Sequence, residues 1–246
     1  MFKNRQNLEK KLLKEQLHGA SLITFTDPKS VNAEQFRALR TNIEFAQLDK
    51  QLKSLLVSSS IPTEGKSTIS SNLAYVMGQT EKKVLIVDAD LRKPTVHKTF
   101  KLNNEQGLSN LIVNRDMKFN EVVQHSYDLN LYFLPSGPIP PNPSELLSSA
   151  RMNQIMQELS TYFDLVIYDA PPITAVADPQ ILATRVDGVL MVVRQNFAKK
   201  EEVRAAKKAL DTVNANILGY VMNGKPVSNS SGYYAYYGYG EKLNDN

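Results

Sequence analysis

Short unbroken aliphatic runs recur along the chain, each about the length of a β-strand and each followed by a stretch of helical periodicity. The runs are Leu55–Ser58, Val84–Val87, Leu129–Leu134, Leu165–Tyr168, Val189–Val193 and Ile217–Val221. They do not alternate with polar residues, as strands wetted on one face would, so they predict strands covered on both faces. Helical patterns lie near Ser67–Gly78, Ser144–Tyr162, Pro179–Thr184 and Lys200–Val213. A further helix is expected over residues 32–47, with Phe36, Leu39 and Ile43 on its apolar face. Strand–helix alternation of this kind predicts an α/β fold, a mostly parallel β-sheet flanked by helices on both faces. There is no internal repeat.

Three segments depart from the pattern. Near the start, Leu8, Leu12, Leu13 and Leu17 interleave with Glu9, Lys10, Lys11, Lys14 and Glu15. This reads as a short amphipathic helix, without the continuous apolar core of a signal peptide. Residues 135–143 hold five prolines in nine positions and predict an extended, exposed loop. From Lys225 onward aliphatic periodicity disappears into Ser, Gly, Tyr and Asn, as in a mobile tail. The expected organisation is therefore an N-terminal helix and linker over 1–30, one domain over 31–224, and a tail over 225–246.

Composition narrows the function classes. A chain of 246 residues typically buries roughly 70% of its unfolded surface, so it needs no covalent or metal staple. With no cysteine there is no disulfide framework, thiolate metal site or cysteine nucleophile, which suits a reducing cytoplasm. No apolar run approaches the roughly 18 residues of a membrane span. Net charge is a mild +4. The basic cluster Lys199, Lys200, Arg204, Lys207 and Lys208 carries no interleaved aromatics for base stacking, so it reads as a solvated helix face with no nucleic-acid partner.

Candidate chemistry sits at the ends of the predicted strands. Ser58–Thr68 reads Ser-Ser-Ser-Ile-Pro-Thr-Glu-Gly-Lys-Ser-Thr between a strand and a helix, the setting of a P-loop within a Rossmann-like three-layer sandwich. The candidate nucleotide-binding residues are Thr63, Glu64, Gly65, Lys66, Ser67 and Thr68, whose backbone N–H groups would cradle phosphates at a helix N-terminus. Lys66 would reach the β- and γ-phosphates, and Ser67 would meet magnesium. One departure stands out: Ser60 occupies the position where the general motif has its first glycine. Two further strands end in carboxylates, at Asp88 and Asp90 and at Asp169. Ligands of open parallel sheets bind outside the carboxyl ends of strands, where all three acids would gather. A hard cation beside phosphates wants such ligands, so Ser67, Asp90 and Asp169 are the candidate metal set. Asp88 or Asp90 would accept a proton from an attacking hydroxyl.

With these motifs in place the chain resembles the bacterial tyrosine kinases of capsular and exopolysaccharide biosynthesis, P-loop enzymes unrelated to eukaryotic protein kinases. The resemblance runs from about Glu34 to the tyrosine-rich end. It rests on the modified loop with serine at position 60, on Asp88-x-Asp90-x-Arg92, and on Asp169 before Pro171-Pro172, with Ala170 where serine is frequent. Glu34-x-x-Arg37-x-x-Arg40 resembles the family's self-association motif. Tyr233, Tyr234, Tyr236, Tyr237 and Tyr239, five of the 11 tyrosines, resemble its terminal tyrosine cluster.

The resemblance implies an ATP- and Mg2+-dependent tyrosine autokinase, with Lys66, Asp88 and Asp90 catalytic and the five clustered tyrosines as acceptors. It implies transfer between neighbours in a homo-oligomeric ring held by Glu34, Arg37 and Arg40. It also implies a polysaccharide co-polymerase as membrane adaptor, recruitment to the inner face of the membrane, and a cognate tyrosine phosphatase. Asn223 occupies the place where related proteins meet adenine, and the Asn-Lys-x-Asp guanine motif is missing there, which favours ATP over GTP. Two alternatives share the same core. An ATPase of the partitioning or septum-positioning kind usually carries a lysine five residues before the loop lysine, where this chain has Ile61. A nucleotide-gated scaffold without transferase activity would need nearly the same residues.

Overall fold

The computed structural model describes residues 18–46 and 51–224, together with Leu12. The tyrosine cluster, the rest of the tail and most of the predicted Asn7–Leu17 helix lie outside these residues, as does Gln47 of the predicted 32–47 helix. In chain order the elements are α1 (Ile23–Thr26), α2 (Val31–Phe45), β1 (Ser54–Ser59), α3 (Lys66–Gly78), β2 (Val84–Asp88), α4 (Val96–Phe100) and α5 (Leu108–Val113). They continue with β3 (Gln124–Ser126), β4 (Leu131–Leu134), α6 (Pro143–Ser148), α7 (Ala150–Tyr162) and β5 (Leu165–Asp169). Last come α8 (Asp178–Ala183), β6 (Gly188–Arg194), α9 (Lys200–Thr212) and β7 (Ile217–Asn223).

The strands form one seven-stranded sheet in the order β3-β4-β2-β5-β1-β6-β7. Every pairing is parallel except β3 with β4. Because side chains alternate across a pleat, each central strand feeds two cores. Leu55 and Val57 of β1, Ile86 of β2 and Ile167 of β5 pack with Ile69, Leu73 and Met77 of α3 on one face. Leu56, Leu85, Val166 and Met191 pack with Met152, Ile155 and Leu159 of α7 and Leu210 of α9 on the other. A strand that is apolar on both sides is what this burial requires, which explains the continuous runs.

All six predicted strands are present, and three expectations need correction. The region Ser144–Tyr162 is two helices, because Ser149 is extended and its hydroxyl caps α7 by accepting the Met152 N–H at 3.1 Å. The proline-rich loop is exposed or half-buried only over residues 138–142, and Pro143 is buried at the start of α6. Pro135, Ser136 and Gly137 are buried, with the Pro135 and Ser136 carbonyls accepting the first N–H groups of α5. Finally, the antiparallel edge strand β3 was not anticipated; its Gln-His-Ser sequence carries no apolar signal.

Candidate active site

The sheet order places β2, β5 and β1 side by side, so their C-terminal ends meet at one rim. Asp88 and Asp169 are direct register partners across β2 and β5, and Val57, just before the loop, pairs with Asp169. The loop after β1 then enters α3 through Gly65, whose φ of +92° is left-handed. A Cβ added there would fall 2.2 Å from the Asn223 Nδ2, so this position requires glycine twice over, by conformation and by space. Asn223 donates from that nitrogen to the Glu64 carbonyl at 2.7 Å.

Glu64 was expected among the nucleotide-binding residues, but its side chain turns into the protein and has no exposed surface. Its carboxylate accepts the Ser60 hydroxyl at 2.6 Å and the Ile61 N–H at 2.9 Å on one oxygen, and the Arg194 N–H at 2.9 Å on the other. It therefore braces the loop from inside and ties it to the end of β6. The departure at position 60 gains a reason: a glycine there would leave Glu64 without one of its three donors. This brace was missed in sequence, where the only signal was the serine itself.

Facing the loop is a buried charge cluster. Lys66 Nζ lies 2.9 Å from Asp90 Oδ2 and 3.7 Å from Asp169 Oδ1. Ser67 Oγ donates to Asp169 Oδ2 at 2.6 Å and accepts from Thr95 Oγ1 at 3.0 Å. Asp90 Oδ1 accepts the Lys93 N–H at 3.0 Å. Asp88 Oδ2 accepts the Thr95 and Val96 N–H groups, both at 2.9 Å, at the start of α4. That leaves Asp88 Oδ1 and Asp169 Oδ1 buried without hydrogen-bond partners.

In so little water, burial and neighbouring charge shift Asp88, Asp169 and Lys66. Burial, then the neighbouring Asp169 charge, push the Asp88 carboxyl up to about 8. Burial also raises Asp169, against the opposing pull of Lys66 and Ser67. For Lys66 burial alone would lower the pKa, but Asp169 and Asp90 outweigh it and hold the ammonium charged.

The cluster fits a divalent cation. Two acids carry unpartnered buried oxygens, and an ammonium already sits among Asp90, Asp169 and Ser67 as a cation in their midst. No group of three His, Cys, Asp or Glu side chains suited to a metal occurs among the described residues. Magnesium, which keeps its waters and shares one or two carboxylates with substrate phosphates, does not need one.

Beside the cluster opens a cavity of about 550 Å³ lined by Thr63, Gly65, Ser67, Thr68, Arg194 and Asn223 on one side. Of the predicted nucleotide-binding residues, these include all but Glu64, whose side chain faces away, and Lys66, whose amine lies on the acids. Arg92 is a further rim residue. Its guanidinium donates to Asp178 at 2.8 and 3.2 Å and to Ser144 Oγ at 2.9 Å, and that hydroxyl donates in turn to Asp178 at 2.5 Å. The three tie the loops after β2, β4 and β5 together.

The predicted self-association residues are divided between two tasks. Glu34 and Arg37 pair on the exposed side of α2, and Arg37 also donates to the Pro28 carbonyl. Arg40 instead reaches inward to the Val76 carbonyl at 2.9 Å, in the last turn of α3. Tyr168 is wholly buried and so is withheld from phosphorylation in the folded chain.

Comparison with known proteins agrees with this geometry. Residues 63–218 match the family model of an AAA domain. The tyrosine-protein kinase YwqD of Bacillus subtilis is 49% identical over 218 residues, covering 89% of this chain and 91% of that protein. Among solved structures, the chimerical protein CapA2B2 is 37% identical with a TM-score of 0.80, covering 89% of this chain and 99% of that one. The kinase domain of the Escherichia coli tyrosine kinase ETK is 34% identical with a TM-score of 0.79, covering 88% and 86% respectively.

Proposed function

Because the chain belongs to the bacterial tyrosine-protein kinases, we propose that it uses Mg-ATP to phosphorylate its own C-terminal tyrosines, Tyr233, Tyr234, Tyr236, Tyr237 and Tyr239, between subunits. The observation that carries this reading is the buried cluster of Lys66, Ser67, Asp88, Asp90 and Asp169 at the rim of three adjacent strands. Phosphoryl transfer requires positioning and charge neutralisation more than covalent catalysis, and this cluster supplies both.

The loop amides of Gly65–Thr68 bind the phosphates, and Lys66 leaves the acids to neutralise the γ-phosphate. Ser67, Asp90 and Asp169 would hold the magnesium ion, which would supply neutralisation of phosphate charge. The tyrosine oxygen attacks the γ-phosphorus as its bond to the β–γ bridging oxygen breaks, ADP departs, and the phenolic proton passes to Asp88 Oδ1. A free phenol has a pKa of about 10, and Asp88, raised to about 8 in the unliganded protein, is a suitable acceptor in its ionised form, which a cation bound beside it favours. Asn223 lies along the same cavity, in a place to meet the base.

Glu34 and Arg37 on the exposed side of α2 are the contact through which subunits meet in a ring, with Arg40 supporting α2 from behind. Each phosphate adds roughly −1.5 to −2 charges, so a phosphorylated cluster repels its neighbours and loosens the ring until a phosphatase resets it. A membrane adaptor of the polysaccharide co-polymerase type recruits the kinase to the inner face of the membrane, where the cycle regulates capsular or exopolysaccharide synthesis.

The test is a mixture of two variants. Lys66→Met keeps the tyrosines, and a second chain keeps Lys66 but has the five tyrosines changed to Phe. After incubation with Mg-ATP, mass spectrometry should find phosphotyrosine on the Lys66→Met chain within residues 233–239. ATP hydrolysis with no phosphotyrosine on either chain would instead identify an ATPase.

A further inference from the structure

The far wall of the cavity is made by a segment that carries no motif. Besides the loop residues, Thr95, Arg194 and Asn223, the lining is Leu12, His18, Gly19, Ala20 and Ser21. This segment lies well before the loop in sequence, ahead of α1, α2 and β1, yet it is fastened to the loop's own helix. The buried Asn72 side chain of α3 accepts the Thr24 N–H at 3.0 Å and the Thr24 hydroxyl at 2.9 Å. It donates to the Ser21 carbonyl at 2.8 Å and to the Thr68 carbonyl at 2.9 Å. One amide thus joins the segment to the first turn of α3.

A second fastening lies on α4. The Ala20 N–H donates to Thr99 Oγ1 at 2.8 Å. Gly19, at a φ of +87°, lies so close to α4 that an added Cβ would fall 2.6 Å from the Thr99 nitrogen. A side chain here must lift the segment, because the obstruction is backbone.

We propose that residues 18–21 form the nucleoside wall of the pocket, a strap that recognises the base and ribose of the nucleotide and makes no contribution to phosphate binding. This rests on the reading that the cavity takes Mg-ATP. The loop amides at Gly65–Thr68 account for the phosphates. The remainder of a cavity of about 550 Å³ is bounded by the strap, Arg194 and Asn223, and that is where the nucleoside must lie. The strap leads directly through α1 into α2, so the nucleoside end of the pocket is continuous with the helix that carries Glu34 and Arg37.

Gly19→Ala in the full chain tests the wall. Calorimetric titration with Mg-ATP and with Mg-tripolyphosphate separates the two ends of the pocket. Gly19→Ala should weaken Mg-ATP by about tenfold, the scale of one or two lost hydrogen bonds, and leave Mg-tripolyphosphate binding unchanged. Equal Mg-ATP affinity in variant and wild type, or equal loss of both ligands, overturns the wall alone. A wild-type chain that binds neither ligand overturns it together with the reading on which it rests. If the variant does not fold, hydrogen exchange on the wild type decides. Residues 18–26 should be protected by Mg-AMP-PNP and not by Mg-tripolyphosphate, and equal protection by the two overturns the wall.

Discussion

The two ends of the pocket are built on opposite principles. At the phosphate end, five side chains come from three strand ends that the sheet order makes adjacent, and the interior is crowded with charge. At the strap end, backbone carries the wall, the fastenings are neutral hydrogen bonds, and the holding residue, Asn72, sits on the buried side of a helix. The first arrangement is under electrostatic tension that a divalent cation among the carboxylates relieves; the second is a fitted surface that depends on close approach. Damage to the first should therefore appear in the rate of transfer, and damage to the second in nucleotide affinity.

Lys66→Met is the strongest way to break the contrast. Removing the one ammonium that can move from the acids to the γ-phosphate should lower the transfer rate on the order of 10²–10³-fold, as loss of a charge-stabilising group does. A phosphotyrosine time course at saturating Mg-ATP measures it, and an unchanged rate would move the chemistry elsewhere. Next comes the brace inside the loop. Glu64→Gln presents an amide N–H₂ where the wild type has only acceptors for three donors, and should destabilise the fold by about 2–3 kcal/mol in urea unfolding. Stability equal to wild type would show that the brace at Ser60, Ile61 and Arg194 is dispensable.

The charge crowding makes a pH prediction. Asp88 is raised from its ordinary value of 3.8 to about 8 in the folded protein. The folded state therefore keeps a proton that the unfolded chain releases above about pH 4. This carboxyl favours folding fully below the unfolded value, and its contribution is lost as pH rises through 8. Unliganded wild type should lose stability between pH 5 and 8, at a slope no steeper than about 1.4 kcal/mol per pH unit for this one group. Asp88→Asn should flatten the slope, and Asp169, raised in the same direction, should keep it from vanishing. Melting temperatures across pH 5–8 report it; parallel slopes for the two proteins would contradict the assignment.

The smallest effect sharpens the oligomer question. Arg40→Ala removes an internal bond to Val76 and should destabilise by about 0.5–1.5 kcal/mol, so monomers seen in a double variant with Arg37 would be ambiguous. Arg37→Ala alone, which gives up only exposed contacts to Glu34 and the Pro28 carbonyl, is the cleaner probe: it should give monomers by light scattering with a smaller fall in melting temperature than Arg40→Ala, and an intact oligomer would refute the contact.

How much could be read in advance follows the same division. The central strands were legible because burial on both faces forces unbroken aliphatic runs, and the phosphate end was legible because topology gathers strand-terminal acids at one rim. Leu165–Asp169 shows both, with every residue of the strand buried. The strap was not legible: Gly19 matters only because Thr99 lies beneath it, and Asn72 only because Thr24 and Ser21 arrive from a distant segment. The burial of Pro135 and Ser136 was not legible for the same reason, since the α5 donors that claim their carbonyls are remote in sequence. Ser149 is the exception, a local N-cap whose serine could have marked the break between α6 and α7.

A structure of the chain with magnesium and a non-hydrolysable ATP analogue tests the phosphate end most directly. The account predicts Lys66 Nζ released from Asp90 and within hydrogen-bonding reach of the γ-phosphate, with the metal held by Ser67 and the carboxylates. Nucleotide bound elsewhere, with Lys66 still bridging Asp90 and Asp169, would contradict it.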